Sequence, residues 1–423
     1  MKILLLSYAF SPFKGSEFSV AWNYALHMGK NHQLDIIIGL VDDHMGNFKV
    51  LPQIQEEINR TGLDINIIPV YPDKKAIFLN YLNKKNIFPY SFYFAYKYWH
   101  KEAYKKSLEL VSRNDYDLVH YQNPIGYREP GYLWKLDLPY IWGPIGGMNT
   151  FNKNLIGFLT FKGLFDYHLR KYSNYYNFYF NKRLKKSFLR TNLLLINNST
   201  EQITFNKYFQ KKTKVFSESW INYPFKKRNK SNDKLKLIWV GTLNERKGLI
   251  IFLTALSKFK FKQDIIVNII GNGNMKDSLE KFVDMYTLTN VRFLGKISRD
   301  EVQNEFQNSD FSLYTSLMDA NPSVIWESIS NSCPIIAFDV DGAKDNLNDN
   351  CSIKINVDEK PDKTLNNINN VLKNILERRE ELKLHFTKNI KKSYDSNQWE
   401  QKAAVWEIFY NEAIDNYKEN KNE

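Results

Sequence analysis

Short apolar runs alternate with longer amphipathic stretches along the whole chain. The runs are continuous, which is typical of strands that a parallel sheet buries on both faces. The stretches between them have the length of helices, and this order of strand and helix favours doubly wound α/β sheets. Strands are predicted at 3–7, 33–39, 66–70, 117–121, 139–142 and 192–197 in the first half, and at 237–240, 267–270, 291–294, 311–314 and 335–338 in the second.

A polar, lysine-rich segment, residues 218–234, separates the two predicted sheets and contains Pro224. Such a composition is typical of a linker. The chain has 423 residues, which is enough for two or three domains of ordinary size. We therefore predict one domain in residues 1–218 and a second in residues 219–395, followed by an amphipathic helix within 399–413.

Two carboxylates, Asp319 and Glu327, flank a turn of small residues near the end of the second predicted sheet. Asn321 or Ser323 is expected to cap the helix that follows, and Pro322 suits its start. Asp319 would then lie in the loop, and Glu327 one to two turns inside the helix.

This arrangement is typical of a site for a ligand that is both polyhydroxylated and anionic. Free N–H groups and the dipole at a helix start attract phosphate, and carboxylates accept hydrogen bonds from sugar hydroxyls. The alternative is a surface loop before a core helix, with Glu327 merely in solvent.

Other motifs precede the carboxylates in a fixed order. One strand runs into Gly-Thr-Leu at 241–243 and then Glu-Arg-Lys-Gly at 245–248, and the next ends in a glycine pair at 271–273. A third strand is followed by the acidic start of a helix at 298–301. A fourth strand is followed by the segment that contains Asp319 and Glu327. Together these motifs resemble the C-terminal half of the retaining glycosyltransferases of family 4, closely over residues 235–350 and more loosely in the first half.

The resemblance implies the GT-B fold of that family. That fold is α/β and consists of two Rossmann-like doubly wound domains facing a central cleft. The resemblance also implies that the C-terminal helix, within residues 396–423, crosses back to the first domain.

By position, the resemblance assigns Asp319 to the transferred sugar and Glu327 to the ribose of a nucleotide-sugar donor. Family members usually have Glu at the first position, so Asp319 is shorter by one methylene. The further donor-binding residues that the resemblance implies are Gly241, Thr242, Gly271, Gly273, Asn321, Pro322, Ser323 and Val324.

Two adjacent cations, Arg246 and Lys247, are expected to stabilise the departing diphosphate. The family usually has an Arg directly after the glycine of the first strand and a Lys five positions later. Lys247 matches the Lys, but Thr242 stands where the Arg belongs. Arg246 either supplies the second cation or points to solvent.

In the first half, the resemblance assigns two loops to the donor or the acceptor. One follows the first strand and contains Gly15, Ser16 and Glu17; the other contains Gly146 and Gly147. Glycines let the backbone approach a ligand closely, although a plain turn also needs them.

His120 lies at a predicted strand end where family members often carry a histidine near the donor sugar. With Lys247, Arg246 and Asp319 it completes the predicted catalytic set. The alternative is a purely structural histidine.

Neither a metal nor another cofactor is expected beyond the nucleotide-sugar co-substrate. An Asp-x-Asp pair holds a divalent cation in other glycosyltransferases, and the chain has two, at 115–117 and 339–341. The first lies at the wrong edge of its sheet. The second lies at the right edge, but Lys247 and Arg246 already offer compensating charge. Residues 271–276 lack the third glycine of a dinucleotide fingerprint, which disfavours NAD.

Composition indicates a folded cytoplasmic protein with a basic surface: 43% of residues are hydrophobic, the formal net charge is +13, and there are only two cysteines. No apolar stretch is long enough to predict a transmembrane helix. Cations and aromatic residues mix in segments 74–106 and 151–190. Such segments suit a membrane surface, a nucleic-acid platform or an aromatic core edged by solvated lysines; we expect a membrane and no nucleic acid.

The resemblance thus implies a retaining glycosyltransferase, and the basic aromatic segments lead us to expect it on the inner face of the cytoplasmic membrane. Its donor would be a nucleotide-diphosphate sugar. Its acceptor would be a hydroxyl of a lipid-linked surface polysaccharide such as a capsule, O-antigen or exopolysaccharide. The alternatives are a non-catalytic nucleotide-sugar-binding protein, a sugar phosphorylase or a nucleotide-sugar epimerase.

Overall fold

The computed structural model describes residues 1–15, 17–42, 44–85, 87–88, 91–228, 233–320 and 322–422. Ser16 and Asn321, two residues of the predicted site, lie outside the described residues. The chain forms two compact units. The first unit contains residues 1–148, 174–218 and 399–423, and the second contains residues 149–173 and 219–398.

Within its described residues, the first unit has one parallel sheet in the order β3-β2-β1-β4-β5-β6-β7. The strand β1 lies inside the sheet between β2 and β4, and its residues Leu4, Leu5 and Leu6 are inaccessible to solvent. This burial on both faces explains the continuous apolar runs of the sequence. The strands are β1 (Lys2–Ser7), β2 (Gln33–Ile38), β3 (Ile65–Pro69), β4 (Leu118–Asn123), β5 (Tyr140–Ile145), β6 (Leu193–Ile196) and β7 (Thr213–Val215).

Helices connect most of these strands, as is usual for parallel pairing, but the connection from β4 to β5 contains only a short 3₁₀ helix, Leu133–Lys135. The α-helices are α1 (Glu17–Met28), α2 (Leu51–Thr61), α3 (Lys74–Lys84), α4 (Ser91–Val111), α5 (Phe161–Tyr179), α6 (Lys182–Arg190) and α7 (Ser199–Tyr208). Of these, α5 begins among residues of the second unit and ends among residues of the first.

The second unit has a parallel sheet in the order β10-β9-β8-β11-β12-β13 within its described residues. Its strands are β8 (Leu235–Val240), β9 (Ile265–Ile270), β10 (Val291–Gly295), β11 (Phe311–Tyr314), β12 (Ile335–Phe338) and β13 (Ser352–Ile355). Its helices are α8 (Leu249–Lys258), α9 (Lys276–Met285), α10 (Arg299–Gln307), α11 (Ser323–Ser330), α12 (Asp341–Asn346), α13 (Pro361–Glu377) and α14 (Arg379–Asp395). The prediction of two doubly wound α/β sheets is confirmed.

A segment from the middle of the chain also belongs to the second unit. Residues 149–173 place Phe151 and Leu155 in the same apolar core as Trp239 and Leu243. The side chain of Thr160 donates a hydrogen bond of 2.5 Å to Glu245 Oε1. This segment therefore contributes both core and polar contacts to the second unit.

The last helix, α15 (Trp399–Asn422), belongs to the first unit. Trp406 and Tyr410 are buried, and the Trp406 ring lies 4.7 Å from the ring of His120. The helix α15 therefore contributes buried side chains to the core of the first unit. Among the described helices, none combines the length and the apolar composition that crossing a bilayer requires.

Candidate functional site

The loops that follow β8 and β9 lie against each other at the carboxyl edge of the second sheet, where open α/β sheets bind their ligands. The N–H of Gly241 donates to the carbonyl of Ile270 at 3.0 Å. Farther along the loops, the N–H of Leu243 donates to the carbonyl of Asn272 at 3.0 Å. The N–H of Met275 donates to the carbonyl of Leu243, also at 3.0 Å. The backbones of the two loops are therefore bonded together.

Gly271 and Gly273 make this approach of the loops sterically feasible. Gly271 has a φ of +139°, and a Cβ there would lie 1.8 Å from the carbonyl oxygen of Gly241. A Cβ on Gly273 would lie 2.2 Å from the carbonyl oxygen of Leu243. Both glycines, predicted to bind the donor, thus have a structural reason to be glycine that involves no ligand.

A single 3₁₀ turn, Glu245–Lys247, holds the two predicted cations. It is capped by the side chain of Asn244 and ends at Gly248, whose φ is +63°. A Cβ on Gly248 would lie 2.3 Å from the carbonyl oxygen of Thr315. This contact brings the turn close to the loop that follows β11.

Further hydrogen bonds fix the turn on that loop. The hydroxyl of Thr315 donates to the carbonyl of Lys247 at 2.7 Å, and the N–H of Leu317 donates to the carbonyl of Arg246 at 3.1 Å. The loop after β11 carries Asp319. The fold thus brings the predicted cations and the first predicted carboxylate together.

Asp319 forms ion pairs with both cations. Lys247 Nζ donates to Asp319 Oδ2, and Arg246 Nη1 lies 3.5 Å from Asp319 Oδ1. Arg246 Nη1 also donates to the carbonyl of Met318 at 2.9 Å, while its side chain stays 42% exposed. Arg246 therefore contacts the loop that carries Asp319 and does not point only to solvent. Thr242, which stands where the family usually has an Arg, is exposed.

Burial raises the pKa of Asp319, but Lys247 and Arg246 together outweigh burial and hold that pKa below its ordinary value. The carboxyl is therefore ionised at neutral pH. Two cations and one carboxylate leave an excess of positive charge, which favours an anionic ligand such as a diphosphate.

The helix α11 begins directly after this loop. Pro322 is its N-cap, and no side chain of the described residues caps it; Ser323, one of the two predicted N-caps, is the first helical residue instead. The first turn of a helix has N–H groups without intrahelical partners. Among the described residues, no group accepts a hydrogen bond from those of Ser323 and Val324. The helix dipole favours an anion at this position.

Glu327 lies inside α11 and is half-buried, so it is not merely solvated. Burial raises the pKa of Glu327, and Arg299 and a hydrogen bond with the Tyr223 hydroxyl oppose that effect. The Arg299 guanidinium lies 4.6 Å from the centre of the Tyr223 ring. Sequence reasoning missed Tyr223 and Arg299, because only the fold brings these three residues together.

The second Asp-x-Asp pair lies beside the same loop. The N–H of Gly342 donates to the carbonyl of Asp319 at 3.2 Å. Asp341 Oδ1 accepts a hydrogen bond of 2.9 Å from the side chain of Asn149, and Asp339 Oδ1 lies 3.4 Å from Lys354 Nζ. Both carboxylates thus have partners within the protein.

In the first unit, His120 is completely buried in β4. Its Nε2 lies 2.9 Å from the carbonyl oxygen of Gly143, and its Nδ1 lies 3.2 Å from the hydroxyl of Tyr24. Burial lowers the pKa of His120 to about 4. A neutral histidine with both nitrogens engaged and Trp406 against its ring has the features of a structural residue.

Glu17 begins α1 at the carboxyl edge of the first sheet. Burial raises the pKa of Glu17 to about 7, although the N–H of Ile125 donates to its carboxyl and opposes that shift. The N–H of Gly146 donates to the carbonyl of Ile125 at 2.7 Å, so the two predicted loops meet at this residue. Gly15 is exposed and has room for a Cβ.

The N–H of Gly147 is already engaged. It donates to Glu201 Oε1 at 3.0 Å, and the N–H of Met148 donates to Glu201 Oε2 at 2.7 Å. Sequence reasoning did not identify Glu201, since a lone acidic residue near the start of a helix gives no signal for such a contact.

Residues 223–393 match the family model described as "Glycosyl transferases group 1". The uncharacterized glycosyltransferase MJ1178 of Methanocaldococcus jannaschii is 27% identical to this chain over 182 residues, which is 42% of this chain and 48% of that protein. The match thus spans about half the length of that curated relative.

Solved structures resemble the chain over nearly its whole length. Sucrose-phosphate synthase from Thermosynechococcus elongatus aligns with a TM-score of 0.63 and 12% identity, over 97% of this chain and 98% of the other. The lipopolysaccharide outer core galactosyltransferase WaaB aligns with a TM-score of 0.59 and 14% identity over the full length of both chains. Anabaena HepE in complex with UDP and glucose aligns with a TM-score of 0.56 and 13% identity, over 94% and 95% of the two chains. Residues 223–393 are therefore similar to the glycosyl transferases group 1 family, and the fold of the chain is GT-B.

Proposed function

We propose that the protein is a retaining glycosyltransferase of the family 4 type that uses a nucleotide-diphosphate sugar as its donor. The observation that carries this proposal is the ion-paired cluster of Lys247, Arg246 and Asp319, in the loops before the helix α11. The cluster lies within the segment that matches the glycosyl transferases group 1 family.

The excess positive charge of the cluster suits the diphosphate of such a donor. Lys247 and Arg246 stabilise the negative charge that develops on the diphosphate as the glycosidic bond breaks. The N–H groups in the first turn of α11 bind the same anion. This arrangement supplies charge stabilisation without a metal, and we propose that none is required.

Asp319 and Glu327 are assigned to the hydroxyls of the donor. Asp319 accepts hydrogen bonds from the transferred sugar and orients it, and Glu327 accepts hydrogen bonds from the ribose. Tyr223 and Arg299, which contact each other beside Glu327, keep its carboxyl in position. Retention at the anomeric carbon rests on the resemblance to family 4.

In the free protein the two cations are bound to Asp319. A diphosphate carries more negative charge than one carboxylate and competes for both cations. Donor binding then releases the Asp319 carboxylate from part of its ion pairing, which leaves it available to the sugar.

The acceptor that we propose is a hydroxyl of a lipid-linked surface polysaccharide, held at the inner face of the cytoplasmic membrane. The lipopolysaccharide galactosyltransferase among the similar structures and the basic, aromatic segments of the sequence support this acceptor class.

The test is a donor panel. The purified protein is incubated without added metal with UDP-, GDP-, ADP- and dTDP-sugars, with and without a lipid-linked oligosaccharide extract, and released nucleoside diphosphate is measured. We expect release from one donor, faster with the extract and lost in Glu327→Ala. Glu380→Ala removes an exposed carboxylate of α14 and serves as the matched control.

Other outcomes would identify the alternatives. Binding of one donor without release, even with the extract, would mean a non-catalytic binding protein. Sugar release that depends on inorganic phosphate, or interconversion of free nucleotide sugars, would mean a phosphorylase or an epimerase.

A further inference from the structure

The helices α3 and α4 carry a segment with positive charge and no negative charge. From Lys74 to Lys101 the sequence contains no Asp, Glu or Arg. Its six lysines are all exposed: Lys74, Lys75, Lys84, Lys85, Lys97 and Lys101.

Large apolar side chains share this exposure. Seven of them are between 44% and 66% exposed: Ile77, Phe78, Tyr81, Ile87, Phe88, Tyr93 and Phe94. These seven residues and the six lysines define the hairpin surface. The outward side of a surface helix is normally polar, and exposed apolar patches mark interaction sites.

The hairpin surface is not a misplaced core face, because the opposite sides of the two helices are buried. Ala76 of α3 and Ala95, Tyr96 and Trp99 of α4 belong to the core of the first unit. The indole N–H of Trp99 donates to the carbonyl of Val70 at 2.9 Å. The helices are thus held on the first sheet, with their second apolar side directed outward.

The chemistry of the hairpin surface favours a lipid bilayer over a protein or a nucleic acid. Protein interfaces are enriched in Arg and depleted in Lys, whereas this surface has six lysines and no Arg. Single-stranded nucleic acid stacks on aromatic residues, but aliphatic side chains such as Ile77 and Ile87 offer bases no stacking face. Phe and Tyr at a membrane interface with Lys at the headgroups is the composition of a membrane-surface element.

We propose that the hairpin surface docks the protein on a bilayer that contains anionic lipids. The aromatic and aliphatic side chains enter the interfacial region, and the six lysines bind headgroup phosphates. Each lysine near an anionic surface strengthens binding about fivefold. The inference deepens the proposed function, since it rests on the lipid-linked acceptor for its purpose, although docking itself needs no catalysis.

The first test is co-sedimentation of the full chain with vesicles. We expect binding to phosphatidylcholine mixed with phosphatidylglycerol, and little binding to phosphatidylcholine alone. The double variants Phe78→Ser/Phe94→Ser and Lys84→Gln/Lys85→Gln should each lose at least about tenfold in affinity for the mixed vesicles. The matched controls are Met285→Ser/Leu384→Ser and Lys388→Gln/Lys418→Gln, which change exposed side chains elsewhere and should bind as the parent does.

A second test reports contact directly. The two native cysteines, Cys333 and Cys351, are buried and unpaired, so a cysteine introduced at an exposed position can be labelled selectively. An environment-sensitive fluorophore on Ile77→Cys should shift to the blue with mixed vesicles. The same label on Leu384→Cys should not shift.

Absence of binding to mixed vesicles, or equal binding by the hairpin variants and their controls, would overturn the proposal. Loss of single-stranded RNA binding in the hairpin variants, without vesicle binding, would also overturn it. Donor turnover without an acceptor, measured on the same variants, should stay unchanged. A failure of docking is thereby distinguished from a failure of the proposed transferase function.

Discussion

At the residue scale, Asp319 has two functions to reconcile. In the free protein it neutralises part of the charge of Lys247 and Arg246, and in the proposed reaction it orients the sugar. Its low pKa, caused by these cations against the effect of burial, keeps it ionised for both. The two functions can be separated by removing the charge and keeping the shape.

The Asp319→Asn variant should bind the nucleoside diphosphate of the preferred donor at least as tightly as the parent, because the two cations lose a competing anion. Its turnover should fall at least about tenfold, since an amide orients the sugar less well. Calorimetry and a nucleotide-release assay measure the two effects. Asp300→Asn, on the exposed first turn of α10, is the control. A parallel loss of affinity would show instead that Asp319 is needed to hold the cations in place.

The Lys247→Ala variant should lower turnover by about tenfold to a thousandfold, comparable with the loss of one charge-stabilising donor. Lys276→Ala removes a more exposed lysine of α9 and should leave the rate near that of the parent. Unchanged turnover in Lys247→Ala would remove this residue from the mechanism.

His120 should make the stability of the protein depend on pH. Its pKa falls from 6.5 to about 4 on folding, because the folded protein buries it. Between these values the unfolded chain binds the proton and the folded protein does not, so this histidine lowers the free energy of unfolding as the pH falls. Its contribution approaches about 1.4 kcal/mol per pH unit.

The measurement is urea unfolding between about pH 4.5 and 6.5 for the parent and for His120→Gln. Glu17, whose pKa burial raises to about 7, contributes with the opposite sign, but it does so in both proteins. The difference between the two slopes therefore reports His120. Identical slopes would contradict the burial of a neutral ring.

At the scale of elements, the loops after β8 and β9 form one structure held by backbone contacts. The sequence shows glycines at 241, 271 and 273, but it does not show whether their backbone lies close to a ligand or to another loop. The structure shows that the loops approach each other. The site residues of the turn Glu245–Lys247 depend on this pairing for their position.

The Gly271→Ala variant should destabilise the protein by more than about 2 kcal/mol, because the new Cβ would overlap a backbone oxygen and the φ disfavours alanine. Gly157→Ala is the control, since a Cβ there meets nothing within 4 Å. Its effect should stay within about 0.5 kcal/mol. Thermal unfolding of both variants tests the comparison, and an equal effect of the two substitutions would contradict it.

Most strands were predictable from their apolar runs, including the edge strands β3 and β10; the short edge strands β7 and β13 were not. No prediction covered β7 and β13, which lie at the ends of their sheets. An edge strand has one neighbour and exposes more of its length, so Thr213–Val215 lacks an apolar run. The helix α11 was predicted with Asn321 or Ser323 as its N-cap, but Pro322 is the N-cap and Ser323 is already helical.

The sequence also indicated only those site residues that belong to local motifs. Asp319, Lys247 and Glu327 belong to motifs that keep their spacing along the chain, so the sequence indicates them. Tyr223 and Arg299 approach Glu327 only because a linker and a helix start happen to meet in the fold. No local pattern carries that information.

At the scale of the whole molecule, the chain builds its two units out of sequence order. Residues 149–173 contribute to the second unit, and residues 399–423 contribute to the first. Phe151 and Leu155 are core residues far from the rest of their unit in the chain. The apolar pattern marks such residues as buried without showing where.

The Trp406→Ala variant should destabilise the first unit by about 3 to 5 kcal/mol, because it opens a cavity beside His120, Tyr24 and Phe216. Ile408→Ala, at an exposed position of the same helix, should change stability by less than about 0.5 kcal/mol. Hydrogen exchange resolved by peptide should show lost protection in β1, β4 and β5. Unchanged protection there would contradict the role of α15 in that core.

The contribution of α15 to the first unit has a consequence for synthesis on the ribosome. The strands of the first unit emerge early, but Trp406 and Tyr410 emerge only after the 180 residues from Ser219 to Gln398. At about 5 to 20 residues per second, this delay lasts roughly 10 to 40 seconds. During that time the nascent chain exposes the apolar surface around His120 and is a natural substrate for chaperones. The first unit to be translated is therefore the last to be completed.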